Sequence, residues 1–347
     1  MNKPLISILI DTYNHEAYIE QTLQSAVEQD FPGSDYEIVV VDDGSTDRTP
    51  QIVKRFAPRV RLLTKHNGGQ ASAFNSALPE LRGEIVALLD GDDWFSRGKL
   101  SAVMKAFGDC PEAGAVSHGH YAFHEETGKY EPVVPAGPKF ISLKTPDSAS
   151  EALHWWKYLI VGALTVRKKV LQQTIPISES LRFCADGPIA WTAMSAGVFI
   201  FEEPLCYYRY HANNLHASVD KASVDKAEQA RERRKSEMDE LMFKEIERTL
   251  LRLGVAREAL TASLYRVWVL HSRSTLKKFG GRRVTTFQTE LRALRARKQD
   301  GKGRLDLSEY LKVPIIGLVS LMLPPGLFYK AEVWYEQRIL RLLREDL

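Results

Sequence analysis

The sequence predicts an α/β protein built on a mostly parallel sheet, and three observations lead there. Short β-branched runs alternate with stretches of helical periodicity through the first third of the chain, the pattern of successive βαβ units. Each of these apolar runs ends in polar residues. The composition, 44% hydrophobic and 26% charged over 347 residues, supplies one large core or a catalytic domain with an appendage, and excludes disorder of the whole chain.

Leu5–Ile10 reads as a buried strand. Tyr18, Ile19, Leu23, Ala26 and Val27 then fall at helical spacing, which predicts a helix over Glu16–Gln29, stopped by Phe31-Pro32-Gly33. A second strand follows at Glu37–Val41, a helix at Thr46–Phe56, a third strand at Val60–Thr64, a helix at Gln70–Leu78 and a fourth strand at Glu84–Leu89. Residues 111–180 are richer in Gly, Pro and aromatics, with a strand-like piece at Ala115–Tyr121 and the Trp155-Trp156 pair inside a helix. Beyond His216 the chain turns to helices with long charged faces, Lys226–Leu251 and Ala256–Leu276. The expected division is a domain over residues 1–220 and a helical region over 221–347.

The three cysteines, Cys110, Cys184 and Cys206, have no paired spacing, so neither a disulfide framework nor a thiolate zinc site is indicated. The N-terminal apolar run stops at Asp11, too short for a signal peptide or a membrane span. A cytoplasmic catalytic part is the expectation.

In open α/β sheets ligands bind beyond the carboxyl ends of the strands. Three polar clusters occupy such positions here: Asp11-Thr12-Tyr13-Asn14, Asp42-Asp43-Gly44-Ser45 and Asp90-Gly91-Asp92-Asp93. The last gathers three carboxylates that repel one another unless a cation or a basic partner sits among them, and hard oxygen donors of this kind suit Mg²⁺ or Mn²⁺. An acidic turn capping the next helix is the plain alternative. In the second cluster Ser45, Thr46 or Asp47 can cap the following helix, a duty that does not need two aspartates ahead of Gly44. Tyr13 can stack on a base or simply pack.

The strings Ser7–Asn14, Val39–Asp47 and Leu88–Asp93, with Asn67-Gly68-Gly69-Gln70 between them and Asp186…Trp191 and Tyr208-Arg209-Tyr210-His211 downstream, resemble the serial motifs of family 2 glycosyltransferases over roughly residues 5–215. The resemblance implies a GT-A fold and an inverting, metal-dependent transfer of sugar from a nucleoside-diphosphate-sugar, a UDP-sugar, to a hydroxyl acceptor on a glycan or lipid carrier. It implies that Asp11, Tyr13, Asp43 and Asp90 line the nucleotide, that Asp92 of the DXD element holds Mn²⁺ or Mg²⁺, that Asp186 is the catalytic base, and that His211 lies near diphosphate or metal. Two departures stand out: Asp11 replaces the family's usual proline or threonine, and Ala185 precedes Asp186 where a second acid is frequent. These leave open a sugar-nucleotide-binding scaffold with impaired catalysis. A nicotinamide-dependent oxidoreductase lacks its G-x-G-x-x-G loop after the first strand, and no nucleic-acid-binding motif accompanies the basic residues.

Those basic residues are concentrated at the C-terminal end, where His271–Leu347 carries 16 Lys and Arg against 8 Asp and Glu. Within it the uncharged run 313–329 is broken by Pro314, Gly317 and Pro324-Pro325-Gly326 and flanked by arginines and lysines. That pattern predicts, over about residues 281–347, either an element lying in a membrane interface and drawn to anionic lipid or a surface docked on the catalytic domain or a second copy of the chain.

Overall fold

The computed structural model describes residues 4–211, 226–265 and 267–268. Its elements run β1 Ile6–Thr12, α1 Ile19–Val27, β2 Tyr36–Asp42, α2 Thr49–Lys54, β3 Val60–Thr64, α3 Gln70–Ala77, β4 Ile85–Asp90, β5 Trp94–Phe95, α4 Lys99–Asp109, β6 Ala115–His124, β7 Lys129–Val133, β8 Lys139–Ile141, α5 Pro146–Trp155, β9 Thr165–Arg167, α6 Lys168–Thr174, α7 Asp186–Ala196, β10 Val198–Tyr210, α8 Lys226–Arg252 and α9 Arg257–Ala262.

One sheet carries the fold, in the order β3-β2-β1-β4-β9-β6-β10-β5, with β7 beside β6 and β8 beside β10. The first four strands in that order are mutually parallel. Strand β9 is antiparallel to both β4 and β6, so β6, and β10 parallel to it, point the same way as β4. The sheet is thus mixed beyond β4. Every residue of β2 is buried, as expected of a parallel strand covered on both faces. On one face Ile6, Ile8, Ile10, Ile38, Val40, Ala87 and Leu89 join Ile19, Leu23 and Ala26 of α1 and Leu100 and Val103 of α4 in a single apolar cluster. Leu9, Val39, Val41, Val86 and Leu88 alternate with them and are equally buried. Each such aliphatic side chain contributes roughly 1.5–3 kcal/mol.

Helix boundaries differ from the sequence expectation where side chains take over the terminal backbone groups. Helix α1 begins at Ile19 rather than Glu16, because the Glu16 N–H donates to Asp47 Oδ2 and its carboxylate accepts from Arg48. Helix α2 begins at Thr49 rather than Thr46, since Thr46 N–H is taken by Asn14 Oδ1. Helix α5 ends at Trp155, and Trp156 opens a 3-10 turn closed by the Leu159 N–H on its carbonyl. Strand β10 interrupts its own pairing twice, around Pro204, and so hides its period-two signal.

A first compact unit comprises Met1–Val255 and a second begins at Ala256. Helix α8 lies in the first unit and packs on α7, where a Cβ on Gly187 would stand 2.5 Å from Met242 Sδ. Among the described residues no helix is long and apolar enough to cross a membrane. The segments 281–347 and 313–329 lie outside the described residues.

Candidate active site

The strand ends bring the three polar clusters together. Asp11 and Asp90 are register partners on β1 and β4, and Thr12 pairs Asp42 on β2. The loops after β1 and β2 are tied by reciprocal bonds: Asn14 N–H donates to Ser45 Oγ and Thr46 N–H to Asn14 Oδ1, both 2.8 Å, while His15 N–H donates to Thr49 Oγ1 at 2.9 Å. Asn14 takes a left-handed φ of 56° to do so, a conformation Asn tolerates better than most residues. Asp47 accepts the Thr49 N–H at 2.9 Å and Glu16's at 3.0 Å, so it ties the start of α2 to the loop after β1, while the N-cap position itself is Arg48 and has no side-chain cap.

Asp43 is buried, and its carboxylate accepts three donors: Lys65 Nζ at 2.8 Å, Gly68 N–H at 2.9 Å and Gly69 N–H at 2.6 Å. It therefore fixes the loop after β3. Gly44 is required next to it, because its φ is 77° and a Cβ would meet Asn67 N at 2.8 Å. Tyr13 is 43% exposed at the edge of this loop pair.

The loop after β4 presents the acids unequally. Asp90, Asp92 and Asp93 can each offer an oxygen within 4.8 Å of the others. Asp93 is buried, accepts the Arg209 N–H at 2.8 Å and receives Thr22 Oγ1 on its carbonyl at 2.7 Å, so it serves as a brace to β10. Asp92 stands between two imidazoles, 3.0 Å from His211 Nε2 and 3.9 Å from His15 Nε2. Burial opposes its charge, yet the His211 hydrogen bond and the two imidazoles hold its carboxyl below the usual range. Gly91 makes room, since a Cβ there would lie 2.6 Å from His15 Nδ1. Burial pushes Asp11 up to about 7 despite the neighbouring Asp90 carboxyl and Gln70 carboxamide, and its Oδ1 is buried without a hydrogen-bond partner. Burial, then the charges of Asp11, Asp93, Asp92 and Asp186, drive Asp90 well above the ordinary range. Hard oxygens crowded this way, with an unsatisfied carboxyl oxygen among them, fit a divalent cation.

Asp186 opens α7, one residue after the N-cap position, which Ala185 occupies without a side-chain bond. Its charge reaches Asp90, so it shares the cleft with the acids of β1 and β4. All the residues singled out in the sequence therefore gather at one end of the sheet: Asp11, Tyr13, Asp43, Asp90, Asp92 and His211 at the strand ends, Asp186 on the helix opposite.

Sequence reasoning missed several neighbours. His15 directly follows the first polar cluster, and Lys65 directly follows a strand, so the strand-end rule could have found both. Tyr18, counted as a core position of the first helix, instead packs its ring at a tilt 4.5 Å from His211, under the Arg209 guanidinium at 4.9 Å, and donates to Glu125 at 3.3 Å. Arg209 also donates to the Asp92 carbonyl at 2.8 Å and to Gln21 at 2.5 Å.

A parallel half-sheet, an acidic loop at the end of its fourth strand and a further acid at the start of a neighbouring helix make up the arrangement of a GT-A type of glycosyltransferase. Comparison with known proteins agrees. Residues 7–171 match the family described as Glycosyl transferase family 2. An uncharacterized glycosyltransferase of Nostoc sp. is 30% identical over 229 residues, 63% of this chain and 68% of that protein. The poly(ribitol-phosphate) beta-N-acetylglucosaminyltransferase TarS of Staphylococcus aureus is 41% identical over 98 residues, 27% of this chain and 17% of that protein. The crystal structure of S. aureus TarS 1-349 in complex with UDP-GlcNAc has the same fold, with a TM-score of 0.53 at 20% identity over 89% of this chain and 90% of that one. The chain belongs to glycosyltransferase family 2.

Proposed function

We propose that the protein transfers a sugar, with inversion, from a UDP-sugar to a hydroxyl group of a glycan or lipid-linked acceptor, with Mn²⁺ or Mg²⁺ bound at Asp92. The observation that carries the reading is the pairing of Asp92, held ionised between His15 and His211, with Asp186 on the facing helix, near enough to act on Asp90. A cation bound there supplies positive charge for the departing diphosphate.

In this reading Tyr13 offers its exposed ring to the uracil. Asp11, Asp43 and Asp90 line the nucleotide, with Asp43 acting largely by holding the Lys65–Gly69 loop as one wall. Asp186 accepts the proton of the acceptor hydroxyl as its oxygen bonds to the anomeric carbon and the bond from that carbon to the diphosphate oxygen breaks, releasing UDP. His211 hydrogen-bonds Asp92 and orients its carboxylate. The TarS structure with UDP-GlcNAc makes that nucleotide sugar the first donor to try.

The test is turnover. With Mn²⁺ and a panel of UDP-sugars, UDP release that disappears in Asp92→Ala and falls in Asp186→Asn supports the transferase. Tight UDP binding with no release from any donor points to a scaffold instead. The acceptor reading extends to peripheral contact at the inner membrane face and to homo-oligomers through the C-terminal helices, motivated by the basic, apolar run over 281–347. Liposome flotation tests the first: failure to bind anionic vesicles, with unchanged acceptor turnover after truncation at residue 312, removes it.

A further inference from the structure

We propose that Gln70 is a positioning residue that sets the distance between the acid-bearing strand ends and the Asp186 end of α7; the proposal rests on the transferase reading above. Gln70 is the first residue of α3, and its carboxamide is used at both ends. Nε2 donates to Asp90 Oδ1 at 3.4 Å. Oε1 accepts the Ala185 N–H at 2.9 Å, one residue before Asp186. One amide group thus joins the end of β4 to the start of α7.

Its surroundings make that link stiff. The Gln70 and Ala71 N–H groups donate to the Arg182 and Leu181 carbonyls at 2.9 and 3.3 Å, and Arg182 reaches Asn67 Oδ1. Gly69, at φ 88°, lies so close that a Cβ would meet Arg182 Cα at 2.5 Å. On its other side the same loop is held by Asp43 through Gly68 and Gly69. The segment 67–70 therefore spans from the nucleotide wall to the loop that delivers Asp186, with backbone bonds fixing residues 181–182 and the Gln70 side chain fixing Ala185.

The chemistry asks for glutamine. A carboxylate at this position accepts the Ala185 N–H but has no donor for Asp90 and adds a negative charge beside Asp11 and Asp90. A methionine keeps the length and loses both bonds. Neither change touches the backbone bonds to residues 181–182, so both variants should fold.

The experiment compares Gln70→Met and Gln70→Glu with the wild-type full chain in three readouts: UDP release from UDP-GlcNAc with Mn²⁺, UDP affinity by calorimetry, and amide exchange of the peptide covering residues 181–187. For Gln70→Met, kcat should fall on the order of 10–10²-fold with donor KM and UDP affinity held within about twofold, and exchange near Ala185 should accelerate. Gln70→Glu should keep slow exchange there and lose kcat. Unchanged exchange and unchanged kcat in Gln70→Met overturn the proposal. So does a parallel loss of kcat and UDP affinity, the mark of a merely structural role. Absence of turnover in the wild type sinks the transferase reading, while the exchange measurement still decides whether Gln70 holds the loop.

Discussion

Asp11 and Asp90 are register partners on adjacent parallel strands, and burial raises the carboxyls of both above the usual range. Two acids set side by side away from water oppose each other's charge, so they keep protons that an exposed pair gives up. The usual proline or threonine at position 11 would leave Asp90 without this partner.

Stability of the metal-free protein should therefore fall as pH rises through about 7. The sign follows from linkage: a carboxyl whose folded pKa is raised binds its proton more tightly in the folded state, so deprotonation favours unfolding. Asp11→Asn should remove the decline and raise the melting temperature at pH 8. The gain should exceed about 1.4 kcal/mol, the equivalent of one pKa unit. Mn²⁺ should reduce the decline in the wild type. A flat wild-type melting curve between pH 6 and 8.5 contradicts this account.

Asp92 accepts His211 at 3.0 Å and has His15 at 3.9 Å. Asp92→Ala should abolish the Mn²⁺-dependent rise in melting temperature. His15→Ala and His211→Ala should each weaken Mn²⁺ binding by about 10–100-fold, as loss of groups that orient a ligand does. Manganese electron paramagnetic resonance measures this without turnover, and equal affinity in all three variants would place the cation elsewhere.

Asp186→Asn keeps the shape of the α7 start and removes the basic oxygen. Turnover should drop about 10²–10⁴-fold, the range for loss of a general base, with UDP affinity retained. Full activity in Asp186→Asn would move the proton acceptor to another group.

Gly69→Ala tests the loop between the nucleotide wall and α7. The substitution combines a left-handed backbone with a contact of 2.5 Å to Arg182 Cα, a backbone atom that has little room to yield. It should cost about 1–3 kcal/mol and weaken UDP binding, both visible in one denaturant titration with and without nucleotide. By contrast Gly33→Ala, with nothing within 4 Å of its Cβ, should behave as wild type.

Much of this molecule is legible without coordinates. The β-branched runs, the helical spacing and the polar residues after each run are local signals, so the strand order of appearance and the polar clusters Asp11–Asn14, Asp42–Ser45 and Asp90–Asp93 follow from the residues themselves, and the resemblance of those motifs to a known family carries the GT-A class. Only the tertiary structure decided which of those acids meet. Asp11 partners Asp90 because β1 lies between β2 and β4, Asp93 turns away to brace Arg209, and His15 swings over Gly91 toward Asp92. Gln70 reaches Ala185 across 115 residues, and α8 joins the catalytic unit through Gly187. The physical reason is range: periodicity records which face a residue shows to its own element, whereas pairing between distant segments is fixed by sheet order and close packing, which leave no trace in neighbouring residues.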